Sequence, residues 1–451
     1  MKAQLWVADD NLFLATENRV QIVPPQQRPS WTVGSRIAFR FCLVYFGLFC
    51  LLTQIFGGLL PIPLDFPDPS NFWPTRQVVT WTAVHVFGVT HPLIYMGGSG
   101  DKVFDWVLVF CLLIIAAVTT IVWSILDRQR LSYVALNKWF RVFVRFALAS
   151  QMLGYGMAKL VPLQIPFPHL VKLLEPFGNF SPMGVLWSSI GASPAYEMFA
   201  GSAEVLAGIL LIIPATATLG ALVCLADCIQ IFTLNMTYDV PVKLLSFHLI
   251  LMCLFLLAPE FRRLADFFVL NRIPGPSMRA PLFKTRRANR IAVAAQIVFG
   301  MCLLAANADS SWSMWHSYGG GAPKSALYGI WNVDQLSIDG QLHPPLLTDA
   351  ARWHRVVFDS PDAMTFQNMD DSFDSYGAAI HTDGQTIALK KFKDENWKAN
   401  LKFQREPGNQ LTLDGEMDHH QIHMQLQLVD RNSFPLVNRG FHWVQEYPFS
   451  R

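Results

Sequence analysis

The stretch EMFAGSAEVLAG at residues 197–208 places two carboxylates inside a segment that is otherwise apolar as far as Pro214. Glu197, Gly201, Glu204 and Gly208 follow one another at spacings of four, three and four, so they share one face of a helix. A charge at bilayer depth costs at least about 2.5–3.5 kcal/mol and persists only with a partner, a wet cavity or a function. The stretch therefore predicts a membrane helix whose glycine and carboxylate face turns toward other helices.

Further apolar runs of spanning length surround this segment. The chain has 451 residues, of which 52% are hydrophobic and 15% charged, whereas a soluble globular protein has about 25% charged residues. A helix needs about 20 apolar residues to cross the bilayer. The predicted spans are 36–60, 104–126, 139–161, 197–214, 217–236, 242–259 and 290–308. The fold class predicted for residues 36–308 is an α-helical transmembrane bundle of about seven spans.

Basic residues fix the expected orientation, because Lys and Arg concentrate in cytoplasmic loops. The linker 260–290 carries eight of them, and the loop at Arg128 and Arg130 and the N-terminal tail are also basic. Seven spans place all three on the inside and everything after residue 308 on the outside. Residues 1–35 lack a signal peptide pattern and are interpreted as a cytoplasmic tail. We expect a multi-pass protein of a bacterial inner membrane, with the bilayer as its partner. The net charge of +2 gives no case for a nucleic-acid partner.

Ionisable groups from four predicted spans fall at a similar depth in the outer half of the bilayer, namely Lys159, Glu204, Asp227 and His248. Polar residues predicted to ring the mouth of this cluster are Asn235, Tyr238, Asp239 and Lys243. Arg145 extends the polar line toward the cytoplasm. Three interpretations stay open: structural ion pairs, a ligand or reaction pocket, and a proton or ion path.

For an enzyme, Glu204 and Asp227 would be the catalytic acid and base groups, with Lys159 and His248 as charge partners. The ligand-binding set predicted from these positions is Arg145, Lys159, Asn235, Asp239, Lys243 and His248. No metal ligands are assigned, and the sequence names no cofactor.

All seven cysteines lie in the apolar runs, so no disulfide framework is implied. Cys224 and Cys228 are one helical turn apart and flank Asp227. They are interpreted either as a redox or metal pair or as small packing residues. Packing is favoured, because a helix holds side chains four residues apart too far from each other for an easy disulfide.

Two connecting segments carry their own predictions. Residues 73–97 are apolar but interrupted by Arg76, His85 and His91, which suits an interfacial or re-entrant helix. In the glycine-rich run 97–101, Ser99 or Asp101 is expected to cap the start of the second span. Anion binding by the same run is the alternative.

From residue 326 onward, apolar and polar residues alternate in short segments, which predicts an extracytoplasmic all-β antiparallel barrel or sandwich over 326–451. The predicted strands are 328–336, 352–358, 386–391, 397–403, 410–413, 421–429 and 441–445. Turns are expected at Asp383-Gly384, Pro407-Gly408 and Asp414-Gly415, and residues 309–325 would tether this domain to the membrane. His419, His420 and His423 suit a solvated hairpin better than a metal site.

Gly329-Ile330-Trp331 and Arg439 are similar to the Gly-x-Trp motif and closing Arg of lipocalin-like barrels. That resemblance implies a Trp that plugs one barrel end and an Arg stacked on it.

Three stretches of the helical region resemble the DoxX family of bacterial membrane proteins: Arg145 with 154–160, Ala203-Glu204 with Gly208 and the run to Pro214, and the helices ending at 256–259. The resemblance covers about residues 137–265 and implies a four-helix unit with Arg145, Lys159 and Glu204 at its polar helix positions. DoxX-like proteins include subunits linked to thiosulfate:quinone oxidoreduction and to methylamine dehydrogenase maturation. With its two leading spans, the layout is distantly similar to membrane proteins related to vitamin-K-dependent carboxylases.

The sequence thus predicts a DoxX-like membrane protein that binds a small or lipid-soluble, quinone- or isoprenoid-like ligand in an outer polar pocket, with a possible link to redox chemistry. The alternative is a non-catalytic scaffold whose β domain recruits an extracytoplasmic protein partner. Transport is a third hypothesis, for which only Arg145 extends the polar line inward.

Overall fold

The computed structural model of the protein describes residues 31–60, 69–97, 99–275, 281–391 and 394–450. A bundle of helices occupies the chain as far as residue 318, and a β-barrel follows. Residues 1–30 of the expected cytoplasmic tail lie outside the described residues, as does Gly98 of the glycine-rich run.

Thirteen α-helices occur in the described part of the chain. They are α1 (Val33–Leu52), α2 (Gln54–Gly58), α3 (Trp73–His85), α4 (Val103–Leu126), α5 (Val134–Leu160), α6 (Leu170–Leu174), α7 (Pro182–Gly191), α8 (Pro194–Ile212), α9 (Ala217–Thr237), α10 (Lys243–Leu257), α11 (Phe261–Phe268), α12 (Arg286–Tyr318) and α13 (Pro435–Asn438). The predicted first span, 36–60, is too long, because α1 ends at Leu52 and a break at Thr53 separates it from the short α2.

Six helical segments of the described chain are long and apolar enough to cross a membrane: α1, α4, α8, α9, the continuous run Lys243–Phe268 and α12. The predicted fold class, a helical membrane bundle followed by a β domain, is confirmed. The predicted span 139–161 lies in α5, a helix of 27 residues with four Lys or Arg side chains. α5 contributes twelve buried residues and packs against α1, α2, α8, α10 and α12, so it is the central helix of the bundle.

Glycines bring α5 and α8 into close contact. A Cβ at Gly201 would lie 2.6 Å from both the Gly156 carbonyl oxygen and the Leu160 nitrogen, and one at Gly156 would lie 2.8 Å from the Val205 nitrogen. Glu197, Gly201, Glu204 and Gly208 are all buried on this face of α8. The spacing in the sequence therefore identifies a real packing face, on which backbones approach because no side chain separates them.

The β domain is a closed antiparallel barrel. Its strands are β1 (Gly329–Ile338), β2 (Gln341–Leu342), β3 (Trp353–Phe358), β4 (Ala363–Asn368), β5 (Phe373–His381), β6 (Thr386–Lys391), β7 (Asp394–Glu406), β8 (Gln410–Met417) and β9 (His420–Leu428). Each strand pairs with the next along β1-β3-β4-β5-β6-β7-β8-β9, and β9 pairs back onto β1. The short β2 pairs only with the end of β1. Of the two predicted alternatives, barrel and sandwich, the structure has the barrel.

Three predictions for the β domain are wrong. Strands β4 and β5 are absent from the predicted set, because buried residues follow one another without alternation at 364–367 in β4 and at 376–378 in β5. Residues 441–445 form no strand and are exposed. Gly415 lies inside β8 rather than at a turn, where a Cβ would lie 2.2 Å from the Asn400 carbonyl oxygen.

Trp331 fills the barrel interior, but the arginine beside it is a different one from that expected. Trp331 is fully buried and its indole N–H donates to the Leu327 carbonyl at 3.0 Å. Arg405 lies over the indole ring at 5.9 Å. The predicted partner, Arg439, instead lies over Phe449 and donates to Gln445. It follows the barrel in an exposed segment and is therefore out of reach of Trp331.

The barrel contacts the bundle through α6 and the loop before it. Leu170 packs with Ile330 and Val357, and its backbone N–H donates to Asp359 at 3.0 Å. His169 Nδ1 lies 3.4 Å from the same carboxylate, whose hydrogen bond raises the pKa of His169. Residues 309–318 of the expected tether are the last part of α12, so a helix leads directly toward the barrel.

Candidate functional site

An ion pair joins the two central helices at the glycine-rich contact. Lys159 of α5 reaches Glu204 of α8, whose side chain is only 1% exposed. Lys159 bonds Glu204 Oε1, while Glu204 Oε2 is buried and has no hydrogen-bond partner among the described residues. The predicted partnership between these residues is therefore present in the structure, and half of the carboxylate remains unsatisfied.

Asp227 brings a third helix to the same place. It is half-buried on α9 and lies within electrostatic range of both Glu204 and Lys159. Its Oδ2 atom is buried and accepts no hydrogen bond in the part of the chain that the structure describes. We call Lys159, Glu204 and Asp227 the carboxylate cluster. It contains one cation, two carboxyl groups and two buried oxygen atoms that have no donor.

Glu197 extends this site toward the barrel. The sequence places it on the same face of α8, yet it was not among the predicted site residues. It is fully buried, and its Oε1 accepts the Ile165 N–H at 2.9 Å, which ties the loop before α6 to α8. Lys159 lies within its electrostatic range. Because this loop leads to His169 and Leu170, the carboxylate cluster lies in the barrel-side half of the bundle.

Three cysteines lie beside the carboxylate cluster. Cys224 Sγ is 3.9 Å from Cys228 Sγ on the same helix and 3.4 Å from Cys253 Sγ on α10. All three are buried, and Cys228 lies within electrostatic range of Glu204 and Lys159. The sequence signalled Cys224 and Cys228 through their spacing. It carried no signal for Cys253, because the alignment of α10 against α9 is a tertiary property.

His248 is separate from the cluster, contrary to the prediction. Its Nε2 lies 2.7 Å from the Tyr45 hydroxyl of α1, and its Nδ1 lies 2.6 Å from the Leu244 carbonyl. Its ring stacks on Phe49 with centroids 3.9 Å apart. Both ring nitrogens are occupied, so His248 is a packed histidine between α1 and α10.

Arg145 is also separate from the cluster. Its guanidinium donates to the Leu211 and Ile212 carbonyls at 2.8 and 2.9 Å and to Gln296 at 2.9 Å. These are the orphan carbonyls at the end of α8, which every helix terminus must satisfy. Arg145 lies fourteen residues before Lys159 on α5, or about 21 Å along the axis. It ends α8 and joins it to α12.

The polar residues predicted at the mouth serve to organise the α9–α10 connection. Asn235 donates to Ser246 at 3.0 Å, and Lys243 pairs with Asp239 at 2.9 Å. Asp101 accepts the backbone N–H groups of Lys243 and Leu244, so it caps α10 and not the second span. Asp239 and Lys243 thus bind each other, Asn235 binds Ser246, and Tyr238 is the C-cap residue of α9.

A buried arginine was missed by sequence reasoning. Arg40 of α1 donates to the Tyr133 hydroxyl at 2.9 and 2.6 Å, to Ser124 at 2.8 Å and to the Asp127 carbonyl at 2.9 Å. Tyr133 in turn donates to the Asp127 carboxylate, and this hydrogen bond lowers the pKa of Asp127. We call these four residues the arginine network. It packs α1 against the end of α4.

Two further features lie away from the cluster. An apolar groove of about 700 Å³ separates α5 from α12, lined by Trp139, Phe143, Phe283 and Phe299 among others, with Gln296 as its polar member. His420 and His423 at the β8–β9 hairpin each face a different carboxylate, Asp339 and Asp414. In the described residues no group of three or more His, Cys, Asp or Glu side chains could hold a metal ion.

The fold and site define a multi-helix membrane protein with a buried carboxylate cluster and a C-terminal eight-stranded barrel. The chain belongs to the family of the uncharacterized protein YwoB of Bacillus subtilis (strain 168), with which it shares 34% identity over 134 residues. The match spans 30% of this chain and 85% of that protein. No family model matches the chain. No solved structure matches it either.

Proposed function

We propose that this protein is a DoxX-like protein of the bacterial inner membrane that binds a small lipid-soluble molecule, quinone- or isoprenoid-like, at the carboxylate cluster. The observation that carries the proposal is the pair of buried oxygens, Glu204 Oε2 and Asp227 Oδ2, which receive no hydrogen bond from the described residues. Leaving a buried acceptor unsatisfied costs about 1–3 kcal/mol. A ligand that donates hydrogen bonds there would recover that free energy.

The surroundings of the cluster favour a mainly apolar ligand with a polar head. Asp227 is half-buried, and the side chains beside it at Ala226 and Ile229 are exposed on the lipid-facing side of α9. A molecule dissolved in the bilayer would therefore reach the cluster sideways, between lipid chains. A hydroxyl head would donate a hydrogen bond to a carboxylate, and a carbonyl head would accept one from a protonated carboxyl group, while the tail stayed in hydrocarbon.

Each member of the cluster has a distinct role in this proposal. Lys159 holds Glu204 in place and supplies the positive charge that keeps a carboxylate in the bilayer. Asp227 is the group that faces an arriving ligand, and Glu204 accepts or donates the second hydrogen bond. In the proposed orientation, the N-terminus is cytoplasmic and the barrel extracytoplasmic, because the basic linker 260–290 stays inside.

The test is photolabelling of the full-length protein in lipid nanodiscs with a photoreactive benzoquinol that carries an isoprenoid tail, because the quinol hydroxyl groups can donate hydrogen bonds to the two carboxylates. We expect labelled peptides from α8 and α9 and at least about tenfold weaker labelling of Asp227→Asn and Glu204→Gln, the loss of a charge-assisted hydrogen bond. Asp239→Asn is the matched control, because Asp239 lies just after α9 but is 85% exposed. Equal labelling of all three variants, or labelling confined to the α5–α12 groove, would remove the cluster as the binding site.

A scaffold function is the second candidate, and the segment after the barrel favours it. Phe441, Trp443 and Tyr447 are exposed there, with Trp443 91% exposed. Exposed aromatic side chains in a row mark a contact surface for a protein partner. Deleting residues 440–450 from the full chain should then abolish co-purification of an extracytoplasmic partner while leaving photolabelling of the bundle unchanged. If the partner still co-purifies after the deletion, the scaffold function is rejected.

A further inference from the structure

We infer that Cys224 and Cys253 form a redox-active dithiol that is oxidised to a disulfide by a quinone bound at the carboxylate cluster. This inference rests on the proposed function and deepens it, because it assigns the bound molecule the role of electron acceptor. It also gives the cysteines beside the cluster a function that their spacing in the sequence did not reveal.

The geometry selects the pair. Cys224 and Cys253 lie on neighbouring helices, α9 and α10, with their Sγ atoms 3.4 Å apart. A disulfide bond is about 2.05 Å long, so a closure of about 1.4 Å forms it. Cys224 and Cys228 are 3.9 Å apart on one helix, where the four-residue spacing opposes disulfide geometry. The inter-helix pair is therefore the reactive one.

The neighbouring residues supply the route for protons. Asp227 stands between Cys224 and Cys228 in sequence and within electrostatic range of Cys253. Glu204 and Lys159 are within range of Cys228. A thiol reacts only as its thiolate, so oxidation of a buried pair needs a base beside it. Asp227 is such a base, and Glu204, which lies within electrostatic range of Asp227, is the next group on the route.

The reaction balances as a two-electron exchange. The S–H bonds of Cys224 and Cys253 break, a bond forms between their Sγ atoms, and two electrons pass to the quinone. The two protons pass through Asp227 and Glu204 to the quinone oxygens, which yields a quinol. The oxidant is the quinone itself, and no other co-reactant is required.

The four cysteines outside the group of Cys224, Cys228 and Cys253 provide internal controls. Cys42, Cys50, Cys111 and Cys302 are free like the other three, and among the described residues the close sulfur–sulfur contacts join only Cys224, Cys228 and Cys253. Cys50 is a close match to the reactive pair, because it is fully buried in a membrane helix. A role in packing alone would make Cys50 and Cys224 behave alike toward a quinone.

The experiment uses the reduced full-length protein in nanodiscs under anaerobic conditions, with a short-chain benzoquinone as the oxidant. We expect one quinol formed per chain, two fewer thiols alkylated after denaturation, and a cross-linked peptide that joins Cys224 to Cys253. Cys224→Ser and Cys253→Ser should each abolish quinol formation, whereas Cys50→Ser and Cys302→Ser should retain it. The cross-linked peptide in the unaltered chain tests the inference even where a variant does not fold.

The outcomes separate this inference from the proposed function. If the photoreactive quinol labels α8 and α9 but all seven thiols remain alkylatable after exposure to the quinone, ligand binding stands and the dithiol is rejected. If the quinol does not label the cluster, the proposed function fails first. Tight retention of a soft metal ion by the three thiols in place of oxidation would also overturn the redox assignment.

Discussion

Arg40 and Glu204 are both buried charges in membrane helices, yet their surroundings differ. Arg40 is 3% exposed, and its guanidinium makes four hydrogen bonds to groups on the α4 end and on Tyr133. Glu204 is equally buried, but one of its oxygens has no donor, and Asp227 beside it has the same deficit. Burial is thus common to both sites, and hydrogen-bond satisfaction separates them.

The difference explains what a charge in a membrane helix can indicate. A fully bonded charge such as Arg40 has the partners that its burial requires and needs no ligand to complete it. Arg145 and His248 belong to the same class, because the ends of helices and a tyrosine occupy their polar atoms. The carboxylate cluster instead keeps buried acceptors open, as does the neighbouring Glu197 through its Oε2 atom, so a ligand at this face of α8 has something to bind.

The largest effect should come from breaking the arginine network. Arg40→Met leaves Tyr133, Ser124 and the Asp127 carbonyl without their donor, and removal of one partner from a buried charged network costs about 3–5 kcal/mol. Asp227→Asn should change the free energy of unfolding by less than about 1 kcal/mol, because Oδ2 has no protein partner. Equilibrium unfolding in mixed micelles measures both. An equal loss of unfolding free energy in the two variants would contradict the distinction between a fully bonded and an unsatisfied buried charge.

The Lys159–Glu204 pair allows a sharper test. Lys159→Met alone should cost about 3 kcal/mol, at the low end for a broken buried pair because Lys159 is 14% exposed. Replacing both members, as Lys159→Met with Glu204→Leu, should bring stability back to within about 1 kcal/mol of the original protein, since two apolar side chains can substitute for an ion pair. Photolabelling by the quinol should stay absent, because the Glu204 carboxylate is missing. Recovery of labelling in the double variant would contradict the proposed site.

The glycine contact that holds the cluster together predicts a moderate effect. Gly201→Ala places a Cβ 2.6 Å from backbone atoms of α5, which cannot give way as a flexible side chain could. Overpacking of this kind costs about 1–3 kcal/mol and should separate α5 from α8. Gly47→Ala is the matched control, because a Cβ there meets nothing within 4 Å. Unfolding of the two variants side by side checks this, and equal stability would argue against a close α5–α8 contact.

The smallest effect lies where the bundle meets the barrel. The hydrogen bond to Asp359 raises the pKa of the exposed His169 above its usual value of 6.5. The His169–Asp359 interaction therefore contributes its full stabilisation at pH values below the usual pKa of His169. This stabilisation is lost as the pH rises through the raised pKa of the folded protein. The protection factors of the α6 amides, which compare each exchange rate with the intrinsic rate at the same pH, should be lower at about pH 8.5 than at about pH 5.5. His169→Ala should remove this difference, and an unchanged difference would exclude the histidine as its source.

Local patterns in the sequence were sufficient for the fold class and for one face of the site. The four-three-four spacing of residues 197–208 located a buried face of α8. The pairing of Lys159 with Glu204 followed from their similar depths on two helices. The depth of a residue in the bilayer does not tell in which direction its side chain points around the helix axis. His248 and Arg145 were therefore grouped with residues from which they are separate. Cys253 and Arg40 were missed because their partners come from other helices. Strand β4 was missed because hydrogen-bonded Gln367 and Thr365 are buried among apolar neighbours, and β5 because its buried residues 376–378 are consecutive.

One consequence follows from the length of α12. Its 33 residues extend about 50 Å, whereas the hydrocarbon layer is about 30 Å thick. A helix that extends beyond the bilayer sets the distance of its end from the membrane surface and the direction in which the chain leaves it. Inserting one residue into it would lift the barrel by about 1.5 Å and swing it by about 100°. A flexible linker of the same length would fix neither the distance nor the rotation, whereas the continuous helix fixes both up to Tyr318.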